Sequence, residues 1–71
     1  MSGSITPKFR GELVRLRKLR GFSQAELARR AGFDRSYISQ LESGARKGFS
    51  TKTVLKLASV LQVSADALLG L

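Results

Sequence analysis

The side chains in this 71-residue chain that carry chemistry are suited to binding rather than to bond-making. Histidine and cysteine are both absent. That removes the commonest general base, the commonest neutral metal ligand and every thiolate or disulfide. The five acids, Glu12, Glu26, Asp34, Glu42 and Asp66, are scattered, each where a helix cap or a salt-bridge partner explains it. No glycine-rich phosphate loop follows a strand pattern. No reaction class can be assembled from these residues, so the chain is read as a non-enzyme that needs no metal and no cofactor. What remains is charge and hydrogen bonding. Thirteen Lys and Arg against five Asp and Glu give a net charge of +8 and a pI near 11.3. Such an excess points to a polyanionic partner, either nucleic acid or an anionic membrane surface. Among the charges, Arg35, Ser36, Tyr37, Ser39 and Gln40 form a run of hydrogen-bonding side chains interrupted only by Ile38.

The elements that must position these residues are short. A chain of this size buries only about 60% of its unfolded surface, so one small domain is expected over 6–71. Residues 1–5 are small and polar apart from Ile5 and are expected to be loose. Thr6 and Pro7 suit the N-cap and first position of a helix over 7–20, with Phe9, Leu13 and Leu16 on one face and Gly21 at its end. Ser23 and Glu26 have the spacing of a capping box for a second helix, which carries Leu27, Ala28 and Ala31 and closes at Gly32. Asp34 is the expected N-cap of a third helix, Arg35–Ser43, which buries Ile38 and Leu41 and stops at Gly44. Two short helices joined by so tight a turn must cross steeply, as in a helix-turn-helix. A basic, glycine-bearing loop over 44–49 precedes a fourth helix. Val54, Leu57, Ala58 and Leu61 line that helix, and Ser64 caps a last turn or two ending near Leu69. No segment alternates with period two. The pattern predicts an all-α fold of five short helices.

From Leu13 to Leu69 the chain resembles the lambda-repressor/Cro-like, or XRE, helix-turn-helix family. The matching pieces are Leu13-x-x-Leu16-Arg17, Gly21-Phe22-Ser23-Gln24-x-Glu26-Leu27-Ala28 and Ile38-Ser39-Gln40-Leu41-Glu42-Ser43-Gly44. Leu57-Ala58-x-x-Leu61 and Val63-Ser64-x-Asp66-x-Leu68-Leu69 complete the series. One departure is the loop Lys47-Gly48-Phe49, where many relatives carry Asn-Pro; Phe49 is a candidate for the missing apolar contact. The resemblance implies a five-helix DNA-binding domain whose third helix enters the major groove of double-stranded DNA. By that resemblance Arg35, Ser36, Ser39 and Gln40, with Tyr37 beside them, face the base edges. An Arg fork suits guanine O6 and N7, and a Gln amide suits adenine N6 and N7. Gln24 resembles a phosphate-binding position at a helix start, and Arg46, Lys47 and Lys52 are placed to reach the same backbone. Arg17 and Glu42 match positions that pair with each other, which would set the angle of the third helix.

A helix of this length reads too few base pairs alone, so a homodimer is expected, with Leu68, Leu69 and Leu71 as its surface. The function implied is a bacterial or phage transcriptional regulator, either a small repressor or a restriction-modification controller. An antitoxin-type autoregulator, or a protein-interaction module on the same fold, is the alternative. Membrane binding is disfavoured because the core uses every apolar stripe. No small-molecule ligand is evident. The N-terminus lacks a signal-like apolar run, so a cytoplasmic, nucleoid-associated protein is expected.

Overall fold

The computed structural model describes residues 2–46 and 48–71. Their order is β1 (Ser2–Ser4), α1 (Pro7–Leu19), α2 (Gln24–Ala31), α3 (Arg35–Ser43), β2 (Gly48–Ser50), α4 (Thr51–Leu61) and α5 (Ala65–Leu69). Each helix starts where a hydroxyl can serve its free amides, with one exception. Thr6 Oγ1, Ser23 Oγ, Ser50 Oγ and Ser64 Oγ accept from the amides of Phe9, Glu26, Thr53 and Ala67 at 3.0–3.2 Å. Asp34 occupies the N-cap of α3 in extended conformation, but its carboxylate makes no capping bond. The reciprocal half of the expected box on α2 is also missing. The Glu26 carboxylate turns outward to Arg29 and Arg30 instead of back to the Ser23 amide.

The helix ends follow from backbone geometry. Gly44 ends α3 at φ 81°, where the Ala45 amide donates to the Gln40 carbonyl at 3.1 Å. The end of α4 is less ordinary, because a non-glycine residue, Gln62, takes the left-handed conformation at φ 59°. Arg20 supports it from α1, donating to the Leu61 carbonyl at 2.8 Å. The carbonyls that the helix leaves unpaired thereby acquire a charged donor.

The apolar stripes of all five helices converge on one core. Phe9, Leu13 and Leu16 meet Leu27, Ala28 and Ala31, with Ile38, Leu41, Val54, Leu57, Ala58, Leu61 and Leu68 closing it. α1 packs on α3 and α5, while α2 packs on α3 and α4. α3 is therefore gripped from two sides through Ile38 and Leu41, both fully buried.

The two short strands depart from the all-helical expectation. The sequence predicts that residues 1–5 are loose, but Ser2–Ser4 pairs antiparallel with Gly48–Ser50, with Gly3 opposite Phe49. The pairing partner lies more than forty residues away in the loop between α3 and α4, so no local period-two pattern announces it. Phe49 adds a second tie, stacking on Phe9 with ring centroids 4.7 Å apart. It fills the apolar role anticipated for this loop.

Candidate nucleic-acid interface

α3 has two sides of opposite character. Ile38 and Leu41 face the core, while Arg35, Ser36 and Gln40 are exposed and Ser39 is half-buried. The capping glycine of α2, Gly32, and the single residue Phe33 fix the distance between α2 and the start of α3. The Phe33 amide donates to the Ala28 carbonyl at 2.8 Å, locking that turn.

The far end of α3 is tied to α1. Arg17 Nε and Nη2 donate to the two Glu42 carboxylate oxygens at 2.6 and 3.0 Å, a bidentate pair, and Nη1 donates to the Phe22 carbonyl at 2.8 Å. The side chains are only 11% and 7% exposed. Gln24 Nε2 donates to Glu42 Oε1 at 3.0 Å, so one carboxylate ties α1, α2 and α3 together. Arg10 makes a parallel contact, Nη1 donating to the Ser43 carbonyl at 3.0 Å.

Around the exposed side of α3 the expected binding residues fall into separate groups. Ser36, Tyr37, Gln40 and Arg46 line one concavity with Gly32, Phe33 and Asp34, about 490 Å³ in volume. Within it the Arg46 guanidinium lies over the Tyr37 ring at 4.7 Å, with Nη1 at 3.4 Å from Gln40 Oε1. The Tyr37 ring meets Phe33 edge-on at 4.9 Å, and its hydroxyl is 2.9 Å from Thr53 Oγ1. Tyr37 is thus a platform that carries Arg46, and its hydroxyl is engaged with α4 rather than free for a base edge. Lys52 is exposed at the start of α4 but lines a different groove, between α2 and α4. Lys47 lies outside the described residues. Gln24 is half-buried with its side chain held by Glu42. What it offers an anion is its backbone amide, which with that of Ala25 has no acceptor inside the helix.

Three residues that matter to this geometry were not singled out from the sequence. Thr53 is 6% exposed and shares its hydroxyl between Tyr37 and Ser50, the latter at 3.1 Å. Its signal was a polar residue at a core position of the α4 stripe. Arg10 and Arg20 had no such signal, since their acceptors are main-chain carbonyls 33 and 41 residues away. Glu12 and Glu26 sit on exposed surface. A hydrogen bond from Arg15 holds the Glu12 carboxyl below its ordinary value, and hydrogen bonds from Arg29 and then Arg30 do the same for Glu26.

Of the three leucines expected to form a dimer surface, Leu68 is not available. Leu68 is fully buried, used by the core beneath α1 and α4, so it presents nothing to a second subunit. Leu69 is half-buried and Leu71 is 87% exposed. Among the described residues no helix is long and apolar enough to cross a membrane.

A helix-turn-helix family model matches residues 13–68. The transcriptional regulator SinR of Bacillus subtilis strain 168 is 40% identical over 53 residues, 75% of this chain and 48% of SinR. The chain thus spans about half the length of the SinR sequences it matches. Among solved structures, the restriction-modification controller protein C.AhdI from Aeromonas hydrophila superposes with a TM-score of 0.80 at 41% identity. That match covers 86% of this chain and 91% of that one. SinR, the master regulator for biofilm formation, solved in complex with DNA, superposes with a TM-score of 0.82 at 34% identity, over 86% and 97% of the two chains.

Proposed function

The chain belongs to the helix-turn-helix family, and from that premise we propose that it is a sequence-specific, double-stranded DNA-binding transcriptional regulator. The observation that carries this reading is the two-sidedness of α3. Two fully buried anchors, Ile38 and Leu41, hold the helix, while Arg35, Ser36 and Gln40 stay exposed. An α-helix of that form fits the major groove, where its N-terminal residues meet base edges. In this reading Arg35 makes the principal base contact, with Ser36, Ser39 and Gln40 beside it. The Gln24 and Ala25 amides at the start of α2 take one phosphate. Arg46, carried on Tyr37, and Lys52 take others, and the net charge of +8 supplies the long-range attraction. That the similar SinR is solved in complex with DNA supports DNA binding, and the likeness to C.AhdI supports a controller-like regulator.

One such helix reads only a few base pairs. We infer that two copies bind half-sites about one helical turn, roughly 34 Å, apart. Leu69 and Leu71 are the apolar residues left for that contact after Leu68 has entered the core.

Selection from a random pool of labelled duplexes, repeated at two salt concentrations, tests the reading. The expected result is an enriched, roughly palindromic site whose affinity falls steeply with salt. Arg35→Ala should then weaken binding to that site by about 1–3 kcal/mol while leaving non-specific binding nearly unchanged. Enrichment of no sequence would overturn the proposal.

A further inference from the structure

A second surface lies on the flank of α4, where Lys52, Leu55, Lys56, Ser59 and Val60 follow one another along one side of the helix. They face Arg30 and Ala31 at the end of α2 across a groove of about 410 Å³. None of the roles assigned above uses this groove, apart from Lys52 at its end. Two features distinguish it from ordinary solvated surface. Its floor is apolar, formed by Leu55, 56% exposed, and the half-buried Val60. Its rim carries Arg30, Lys52 and Lys56, and no acid is among the lining residues. Arg30 is paired with Glu26, but among the described residues neither Lys52 nor Lys56 has a carboxylate within salt-bridge distance. Lys56 instead lies with its ammonium 5.6 Å from the centre of the Phe33 ring.

We propose that this groove is a docking site for an acidic amphipathic helix of a protein partner. Apolar anchors at i, i+3 or i+4 and i+7 would cover Leu55 and Val60, and flanking Glu or Asp would meet Lys52 and Lys56. Charge complementarity selects this occupant over the other two. A second copy of the chain, related by a two-fold axis, would set the three cations against the same three cations, on a molecule already at +8. A DNA backbone would answer the cations but leave Leu55 and Val60 uncovered. The groove is on the α2 side of α4, whereas α5, with Leu69, packs on α1 and α4. The site is therefore separate from the proposed dimer contact, and it shares only Lys52 with the proposed DNA surface.

The probe is a synthetic helix-forming peptide of about 15 residues, with Leu at i, i+4 and i+7 flanked by Glu. A control peptide carries Lys in place of every Glu. Titration into the full chain, followed by amide chemical shifts, should give saturable changes centred on Leu55, Lys56, Ser59 and Val60. The Lys peptide should give none. Leu55→Asp and Lys56→Glu, both exposed positions, should each weaken the Glu peptide by about tenfold or more while leaving the melting temperature within a few degrees. Shifts centred elsewhere, equal binding by both variants, or no saturation would overturn the proposal. Two further results would also overturn it. One is sedimentation showing that Leu55→Asp abolishes self-association, which would make the groove an interface between copies. The other is loss of DNA affinity in Lys56→Glu and Leu55→Asp as large as that of Arg35→Ala, which would make it part of the DNA surface.

Discussion

Removing Arg17 should cost this protein a large part of its stability, because the carboxylate it serves has almost no water to fall back on. Glu42 is 7% exposed and accepts three hydrogen bonds, two from Arg17 and one from Gln24. Arg17→Ala deletes the two charged donors and also strips the Phe22 carbonyl of its partner. Breaking a buried pair by removing one member costs about 3–5 kcal/mol. The retained Gln24 bond and the residual exposure place this case near the lower figure, about 3 kcal/mol. A domain of this size has a total stability of roughly 4–11 kcal/mol. Each kcal/mol shifts the melting temperature of so small a domain by about 4–8 °C, so the variant should melt about 12–24 °C below the parent. Thermal unfolding followed by circular dichroism gives that number directly. Replacing both partners with apolar residues, Arg17→Met with Glu42→Leu, should recover much of the loss, since no buried charge is then left unpaired. A single variant melting within about 3 °C of the parent would refute the reasoning and mean that water or a neighbouring group replaces Arg17 at little cost.

Other outcomes follow from the same structure. Gly44→Ala should destabilise the domain by about 1–2 kcal/mol in denaturant unfolding, because φ is 81° and the new Cβ would collide with the Arg10 guanidinium. Arg10→Ala in the same background should relieve only the collision. Deleting Ser2–Ser4 should remove amide-exchange protection from the backbone of β2 while leaving that of α3 unchanged, since among the described residues the two strands pair only with each other. Glu12 and Glu26 have folded-state carboxyl values below their unfolded ones. The stability they contribute is present above the unfolded carboxylate range and is lost as pH falls through the lowered folded values. Glu26→Gln should therefore lower the neutral plateau of a plot of melting temperature against pH slightly and flatten its acid limb, the two curves converging at low pH. A parallel acid limb in the variant would contradict this.

Much of the fold was legible in the sequence because its information is local. The caps Thr6, Ser23 and Ser64, the stop signals Gly32 and Gly44, and the 3.6-residue stripes each act within a turn or two of chain. Local information also located the two sides of α3, since Ile38 and Leu41 alternate with polar residues at helical spacing. Where the sequence reading went astray, the deciding contact was distant or competitive. The Glu26 carboxylate had a choice between its own helix start and two arginines one turn on, and the arginines won by charge. Leu68 and Leu71 look alike in a list of apolar residues, yet one is fully buried and the other 87% exposed.

The presence of an arginine fork at the start of a short helix, on a chain of +8, was determined by sequence alone, and with it the character of the proposed partner. The tertiary structure decided which polar side chains remain available to that partner. It drew Gln24 into the Glu42 network, fastened the Tyr37 hydroxyl to Thr53 and seated Arg46 on the Tyr37 ring. It also brought β1 to the α3–α4 loop and opened the basic groove beside α4. The physical reason is the same throughout. A hydrogen-bonding side chain takes the nearest competent partner in space, and only the packing of the helices determines which partner that is.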